Sequence, residues 1–437
     1  MGDNSMKVLS VCISDIVGGA ARATYRIHQS QQQLGVDSRM LVKKKHSGDP
    51  SVILLASLKP RGIVHRVVGR IRRDVAMHQH VNRWNHYLER EDIYMSDSQG
   101  GDLYGSFKKL DYDVLHLHWI NQQFVSINQL PKDKPIVWTL HDTWVFCGVC
   151  HYFMDCSRYE QACGDCPLLH SGKENDLSRK VWKKKSRVYK HLNLHFVAPS
   201  QWLGECAKKS SLLRQFPVSV IPNCLDVSVF RPYSNKEISE RWFDLQEGKT
   251  KNKKKFILYG AMRATEDKRK GFSHLLEAMR LLTNEGMEDT DLLVYGATES
   301  SLNIGMNITV HYLGNIYQTE ELVSLYNLAD VMVVPSLAEN LSCSIMESLS
   351  CETPVVAFDI GGNQDMVEHQ INGYIAKEKD DEDLARGIKW CLDNNEGNRL
   401  GQAGRKKVLE NYTYEIVGKQ YKQLYESVSS ARPKGSA

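Results

Sequence analysis

Short apolar runs recur along the chain, and polar or turn-forming residues separate them. Most positions in these runs are apolar, which is the pattern of strands buried on both faces of a parallel sheet. The runs fall at residues 7–13, 39–42, 111–119, 135–142, 195–200, 217–226, 256–261, 292–296, 308–314, 331–334 and 355–358. Helical periodicity lies between many of them, and the polar stretch 228–252 interrupts the series once. The pattern therefore predicts two α/β domains, each with a doubly wound parallel sheet.

The stretch 331–362 carries the most specific arrangement of these elements. A buried strand ends at Pro335-Ser336, Glu339 follows in the loop, and Glu347 lies in the short helix after it. The next strand runs into Gly361-Gly362. Because α/β proteins bind ligands at the carboxyl ends of parallel strands, we expect both glutamates to lie near a binding site.

Other polar groups follow other predicted strands. The basic residues 268–270 lie in a loop after the strand 256–261, in a position that suits a diphosphate. His118 and His141 each lie at the end of a predicted strand in the first half, and such a pair favours a site over two structural histidines. Gly18-Gly19 separate the first strand from the first helix. These glycines let a ligand approach the helix N-terminus, or they serve a tight turn that needs small residues.

Composition and charge limit the classes of function. The net charge of +4 is too mild to indicate a nucleic-acid partner. The chain has no apolar window long enough for a transmembrane helix and no apolar signal core at its start, so we expect a cytoplasmic protein. The stretches 59–73 and 179–190 combine basic and apolar residues. They indicate either peripheral contact with the inner face of the plasma membrane or surface helices that pack on their own domain.

Five of the eleven cysteines cluster in one turn-rich segment. They are Cys147, Cys150, Cys156, Cys163 and Cys166. Two pairs have the Cys-x2-Cys spacing of zinc ligands, and four thiolates close a tetrahedral site. Free thiols remain the alternative.

Taken together, motifs along almost the whole chain resemble glycosyltransferase family 4, whose members are retaining enzymes of the GT-B fold. The likeness is closest to the colanic-acid-type polysaccharide and exopolysaccharide glycosyltransferases. The motifs are Gly18-Gly19-Ala20, His118, His141-Asp142, Ile221-Pro222-Asn223, Leu225-Asp226, Lys270-Gly271-Phe272, Leu313-Gly314, Pro335-Ser336, Glu339, Glu347, Thr353-Pro354-Val355-Val356 and Gly361-Gly362.

The resemblance implies an α/β protein with two Rossmann-like domains that face a central cleft. Residues 6–230 would form the acceptor-binding domain, with a cysteine-rich loop at 147–166. Residues 231–412 would bind the nucleotide-sugar, and a helix at 413–430 would cross back to the first domain.

The resemblance also implies a set of site residues. The catalytic residues would be His141, Glu339 and Lys270. The donor site would comprise Glu347, Arg263, Arg269, Asn340, Leu341, Ser342, Gly314 and Ile316. The acceptor and diphosphate loop would comprise Gly18, Gly19 and His118, and a structural zinc would be held by Cys150, Cys156, Cys163 and Cys166. Glu347 would bind the ribose hydroxyls, and Lys270 would neutralise the diphosphate.

The implied activity is the transfer of a hexose-type sugar from a UDP- or GDP-sugar to a hydroxyl of a glycan or lipid-linked acceptor, in polysaccharide biosynthesis. The implied mechanism is a front-face attack that needs no metal or other cofactor. Two alternatives stay open at this point: a sugar-nucleotide epimerase of the same fold, and a non-catalytic scaffold that binds nucleotide-sugars.

Overall fold

A computed structural model describes residues 5–58, 75, 78, 81–91, 94–97, 107–234, 237–252, 254–287, 289–299 and 308–430. The chain divides into two compact units, with the divisions at Pro222/Asn223 and at Ile416/Val417. Unit 1 contains the first part of the chain and its C-terminal end, and unit 2 contains the middle. The first division precedes the expected boundary at 230–231. The reason is that Leu225 donates its N–H to the carbonyl of Tyr412 and is buried in the core of unit 2.

The described part of unit 1 is built on a seven-stranded sheet in which all pairings are parallel. Its strands are β1 (Lys7–Ser14), β2 (Asp37–Lys44), β3 (Val52–Leu54), β4 (Val114–Leu117), β5 (Pro135–Thr139), β6 (Asn193–Ala198) and β7 (Val218–Val220). The order across the sheet is β3-β2-β1-β4-β5-β6-β7. Its helices are α1 (Gly19–Gln33), α2 (Leu177–Tyr189) and α3 (Gln201–Lys209). Seven of the eight side chains in β1 are buried, as expected for a strand covered on both faces.

Unit 2 contains a six-stranded parallel sheet of the same kind. Its strands are β8 (Lys255–Gly260), β9 (Thr290–Tyr295), β10 (Val310–Gly314), β11 (Val331–Val334), β12 (Val355–Phe358) and β13 (Gly373–Ala376), in the order β10-β9-β8-β11-β12-β13. Its helices are α4 (Phe243–Asn252), α5 (Phe272–Asn284), α6 (Thr319–Leu328), α7 (Cys343–Ser350), α8 (Asn363–Met366), α9 (Asp381–Asp393) and α10 (Arg399–Asn411). The strand order reverses between β8 and β11, the position where open α/β sheets bind ligands.

The last helix, α11 (Tyr414–Ser430), passes from unit 2 into unit 1. From Val417 onward it packs on the sheet of unit 1, with Tyr421 and Tyr425 fully buried. The Tyr421 hydroxyl lies 3.0 Å from Thr139 Oγ1 at the end of β5. The Tyr425 hydroxyl lies 2.7 Å from His116 Nδ1 in β4.

The structure describes one of the two basic stretches for which membrane contact was an alternative. None of the helices in the described ranges has the length and apolar character to cross a bilayer. The basic stretch 59–73 lies outside the described residues. The second basic stretch forms most of α2, where Trp182 packs against the core of unit 1 and Lys185 is fully buried. The apolar face of α2 therefore covers its own unit.

Candidate active site

Two loops meet at the point of unit 2 where the strand order reverses. One loop follows β8 and carries Lys270; the other follows β11 and carries Glu339. Lys270 Nζ donates to Glu339 Oε2 at 2.8 Å, and both side chains retain some exposure, at 23% and 15%. The loops are also joined by their backbones, since Leu337 N–H donates to the carbonyl of Arg269 at 2.7 Å. The structure thus brings together a cation and a carboxylate that lie far apart in sequence.

Gly271 makes this approach of the two loops possible. Its φ is +70°, and a Cβ at this position would lie 1.8 Å from the carbonyl oxygen of Pro335. A residue with a side chain would need both a strained backbone and a shift of the Pro335 loop. Gly271 therefore sets the position of Lys270 relative to the loop that carries Glu339.

Glu347 lies deeper in the same unit, in α7, with 3% of its surface exposed. Its Oε2 accepts a hydrogen bond from the Tyr326 hydroxyl at 2.9 Å. The Tyr326 hydroxyl lies 3.2 Å from that of Tyr295, at the end of β9. Burial and the nearby carboxylate raise the pKa of Tyr326 well above its usual range, so this phenol stays a neutral donor. The two tyrosines orient the Glu347 carboxylate.

Residues 340–342 lead into the first turn of α7, and all three are buried. The Asn340 carbonyl accepts a hydrogen bond from Gly362 N–H at 2.9 Å, which ties this segment to the Gly361-Gly362 loop. Leu341 packs in the core of unit 2, and Ser342 Oγ lies 2.9 Å from Ser344 Oγ. Residues 340–342 are therefore held in place by the Gly361-Gly362 loop, by the core of unit 2 and by the first turn of α7.

The remaining residues of the expected donor site make contacts with neighbouring protein groups rather than with Glu339 or Glu347 in the interactions described below. Arg263 has a positive φ of 53° and pairs with Glu266 at 2.8 Å, with 73% of its side chain exposed. Arg269 pairs with Asp267 at 2.6 Å. Gly314 ends β10, where it exchanges backbone hydrogen bonds with 296–297, and Ile316 packs against the core. A diphosphate contact by either arginine stays a prediction.

The histidines of unit 1 come together at one edge of its sheet. β4 and β5 are neighbours, and the histidines that follow them approach with 3.0 Å between His118 Nδ1 and His141 Nε2. Burial lowers the pKa of His141 to about 4 and that of His118 well below its usual range. Both rings are therefore neutral at neutral pH.

Gly18 follows β1, which is the other neighbour of β4. Its φ is +104°, and it stands immediately before α1, in which Gly19 is the first residue. A Cβ at either glycine would meet no atom within 4 Å. The conformation at Gly18 favours glycine, and the space beside both residues leaves room for a ligand.

Sequence reasoning did not predict the contacts around these groups, although Asp142 was part of the His141-Asp142 motif. Asp142, which follows His141, accepts hydrogen bonds from Trp119 Nε1 at 2.8 Å and Trp144 N–H at 2.9 Å, and it lies 2.5 Å from His151 Nδ1. Burial alone would raise the pKa of Asp142, but His151 and these donors keep it below its usual value. The tyrosines beside Glu347 and His116 were also missed, because an aromatic residue on an apolar helix face has the sequence pattern of a core residue.

The five clustered cysteines line one small cavity in unit 1. Cys156 is half-buried and the other four are buried. Cys163 Sγ accepts a hydrogen bond from Gly148 N–H at 3.1 Å. However, no group of three or more His, Cys, Asp or Glu side chains in the described ranges is arranged to hold a metal ion. The predicted zinc set of Cys150, Cys156, Cys163 and Cys166 is thus not supported, and Cys147, expected to stand apart, lies with them.

Lys185 is buried beside the cysteine cavity. Its ammonium donates to the carbonyl groups of Trp144, Cys147 at 2.9 Å and Gly148 at 3.1 Å. Burial lowers the pKa of Lys185 to about 7, although the nearby thiols oppose that shift. This lysine organises the loop that follows His141.

Two family models match the chain. The model described as Glycosyltransferase Family 4 matches residues 17–229, and the model described as Glycosyl transferases group 1 matches residues 240–407. Together the two models extend over most of the sequence.

Curated relatives agree with these matches. WcaC of Escherichia coli K12, assigned as a glycosyl transferase of colanic acid biosynthesis, is 23% identical over 386 residues, which are 80% of this chain and 83% of WcaC. The MMP alpha-(1->4)-mannosyltransferase of Mycolicibacterium hassiacum is 29% identical over 50% of this chain and 52% of that protein. The glycosyltransferase MJ1607 of Methanocaldococcus jannaschii is 26% identical over 36% of this chain and 42% of that protein. The chain thus spans about half the length of the latter two relatives.

Solved structures show the same fold. Sucrose-phosphate synthase from Thermosynechococcus elongatus has 17% identity, a TM-score of 0.61, and coverage of 97% of this chain and 99% of its own. Anabaena HepE in complex with UDP and glucose has 14% identity, a TM-score of 0.62, and coverage of 98% and 100%. The predicted GT-B fold, with two Rossmann-like parallel sheets, is confirmed.

Proposed function

Because the chain belongs to glycosyltransferase family 4, we propose that it transfers a hexose-type sugar from a nucleoside-diphosphate donor to a hydroxyl of a glycan or lipid-linked saccharide. The proposed process is polysaccharide biosynthesis, as for WcaC. Unit 2 binds the donor, and unit 1 supplies His141 and the acceptor-binding residues.

The observation that carries this proposal is the Lys270–Glu339 ion pair in unit 2, together with the buried Glu347 of the helix that follows Glu339. The ion pair is partly exposed, so a diphosphate can replace Glu339 as the partner of the Lys270 ammonium at modest cost. Glu347, held by Tyr326, offers a carboxylate that accepts hydrogen bonds from two neighbouring hydroxyls, as a ribose provides. HepE binds UDP and glucose, so UDP-sugars are the first donors to test.

The proposed chemistry is a front-face substitution that retains the configuration of the sugar. The bond between the anomeric carbon and the diphosphate oxygen breaks, the bond to the acceptor oxygen forms on the same face, and the acceptor proton goes to the leaving diphosphate. Lys270 stabilises the charge that develops on that diphosphate. Glu347 is buried and accepts a hydrogen bond from Tyr326, which disfavours it as a covalent nucleophile.

The first test is calorimetric titration of the protein with UDP, GDP and ADP. Glu347→Ala should weaken binding of the preferred nucleotide about 10- to 100-fold, the equivalent of about 1.5–3 kcal/mol for hydrogen bonds to a charged group. Tyr326→Phe should weaken it several-fold, because the carboxylate loses a partner that orients it. Glu320→Ala, which alters an exposed glutamate of the same unit, is the matched control and should leave binding unchanged.

Two outcomes would count against the proposal. Nucleotide affinity unchanged in a folded Glu347→Ala protein would refute the role of this residue, and binding of no nucleotide would refute the function. Release of nucleoside diphosphate only when an acceptor is added identifies a transferase, whereas conversion of the donor without an acceptor identifies an epimerase. The anomeric configuration of the product, read by NMR, tests whether the enzyme is retaining.

A further inference from the structure

The hydrogen bond between His118 and His141 has a direction that the surrounding residues determine. Its two nitrogen atoms, His118 Nδ1 and His141 Nε2, lie 3.0 Å apart. Both rings are neutral, so one nitrogen carries the proton and the other accepts it. The direction decides which nitrogen of His141 is protonated, and therefore what chemistry its ring can perform.

The second nitrogen of His118 favours one direction. His118 is 2% exposed, and its Nε2 atom is buried without a hydrogen-bond partner among the described residues. If the proton were on Nε2, a buried N–H donor would be left unsatisfied, which is rare and costly. If the proton is on Nδ1, the unsatisfied group is a lone pair, and the N–H is used. His118 Nδ1–H therefore donates to His141 Nε2.

The His116 ring packs against the His118 ring, but His116 does not form a hydrogen bond with His118 Nε2. The His116 and His118 ring centroids are 3.9 Å apart. Both nitrogens of His116 have partners of their own: Nδ1 lies 2.7 Å from the Tyr425 hydroxyl, and Nε2 lies 2.8 Å from Thr139 Oγ1. Tyr425 of the C-terminal helix α11 thus holds His116 in position, and the His116 ring packs against the His118 ring.

We propose that His118 is a positioning residue that holds His141 as the neutral tautomer protonated on Nδ1. In this state His141 Nε2 is occupied as an acceptor and cannot serve as a general base. The ring presents a neutral Nδ1–H donor, which suits an uncharged oxygen, such as a sugar hydroxyl, better than a phosphate. The effect on catalysis rests on the proposed function, but the tautomer does not.

Nitrogen-15 NMR of the ligand-free protein labelled at histidine measures the tautomer directly. The two-bond nitrogen–proton pattern of the ring should show His141 protonated on Nδ1 and unprotonated on Nε2, with the signals assigned by their loss in His141→Gln. An Nε2–H or doubly protonated pattern for His141 would overturn the proposal. This measurement is independent of any activity.

A pair of variants tests the positioning role. Asparagine at position 118 can place an amide N–H near the position of Nδ1, whereas phenylalanine keeps a ring and offers no donor. His118→Phe should lower kcat at least 10-fold with the donor KM little changed, and the His141 pattern should change. His118→Asn should lose much less activity and keep the Nδ1–H pattern.

Equal losses of kcat in both variants would overturn the role of the hydrogen bond. Absence of transfer by the unaltered protein would count against the proposed function, and the NMR result would still decide the tautomer.

Discussion

Mild acid should destabilise unit 1 through its buried histidines. His28 is fully buried, with its ring nitrogens 2.7 Å from Ser38 Oγ and 2.8 Å from Ser51 Oγ. Burial lowers the pKa of His28 to about 4, against a weaker opposing effect of Asp49. Burial likewise lowers the pKa of His116 to about 3, that of His141 to about 4, and that of His118 further.

The sign follows from comparing the folded and unfolded states. In the unfolded chain a histidine takes up a proton below a pH of about 6.5, whereas these four stay neutral in the folded unit until the pH is far lower. The stabilisation from keeping them neutral is therefore complete above a pH of about 6.5 and is lost as the pH falls toward about 4. Each histidine should cost about 2 kcal/mol of unfolding free energy between a pH of about 7 and about 5. Four such groups approach the whole stability of a typical domain, about 5–15 kcal/mol.

Urea denaturation at these two pH values, followed by hydrogen exchange in peptides of unit 1, measures the effect. His28→Asn removes one of the four groups without altering the candidate site, so the loss between the two pH values should shrink by about 2 kcal/mol. His191→Asn, at an exposed position of the same unit, is the control and should behave as the unaltered protein does. An identical pH dependence in His28→Asn and the unaltered protein would refute the reasoning.

Two further substitutions test the loops that carry the site residues. Gly271→Ala should destabilise unit 2 by about 3 kcal/mol or more and weaken nucleotide binding, because its Cβ would lie 1.8 Å from the Pro335 carbonyl. Gly286→Ala also has a positive φ but meets no atom within 4 Å, so it should cost only about 1 kcal/mol; equal losses in urea denaturation would contradict this account. Lys185→Met should cost about 3 kcal/mol, because three buried carbonyl groups lose a charged donor. Lys180→Met, an exposed position on the same helix, should be nearly neutral, and a Lys185→Met protein as stable as this control would exclude the structural role.

Much of the fold could be predicted because most strands of both sheets are continuous apolar runs covered on both faces. Strands β3 and β13 were missed because Val52–Leu54 and Gly373–Ala376 are only three and four residues long, and β13 also begins with glycine. The boundary near residue 222 could not be read from composition. It depends on the hydrogen bond between Leu225 and Tyr412, which joins segments distant in sequence.

For the candidate site residues, too, some features could be predicted from the sequence and others could not. Glu339, Lys270, His118 and His141 were predictable as polar groups at the ends of buried strands. Parallel pairing brings the loops of Lys270 and Glu339 together at one edge of the sheet in unit 2, and it brings His118 and His141 together at one edge of the sheet in unit 1. The residues that position them, such as Gly271 next to Lys270 and His116 against His118, act through tertiary packing that the sequence does not show. The cysteine spacing predicted a zinc site, but spacing along the chain does not determine whether the sulfur atoms converge on one point.

The candidate residues of unit 1 and those of unit 2 differ in charge. Unit 2 provides an ammonium and two carboxylates, in the Lys270–Glu339 pair and in Glu347. A nucleoside diphosphate carries both features that such groups recognise, an anion and ribose hydroxyls. Unit 1 instead offers the neutral histidine pair, because burial suppresses protonation of His118 and His141. Sugar hydroxyls are uncharged, so a neutral donor can bind them without the desolvation cost of an unpaired ion. Under the proposed function, the charged groups of unit 2 suit the diphosphate and ribose of a donor, and the neutral histidines of unit 1 suit sugar hydroxyls.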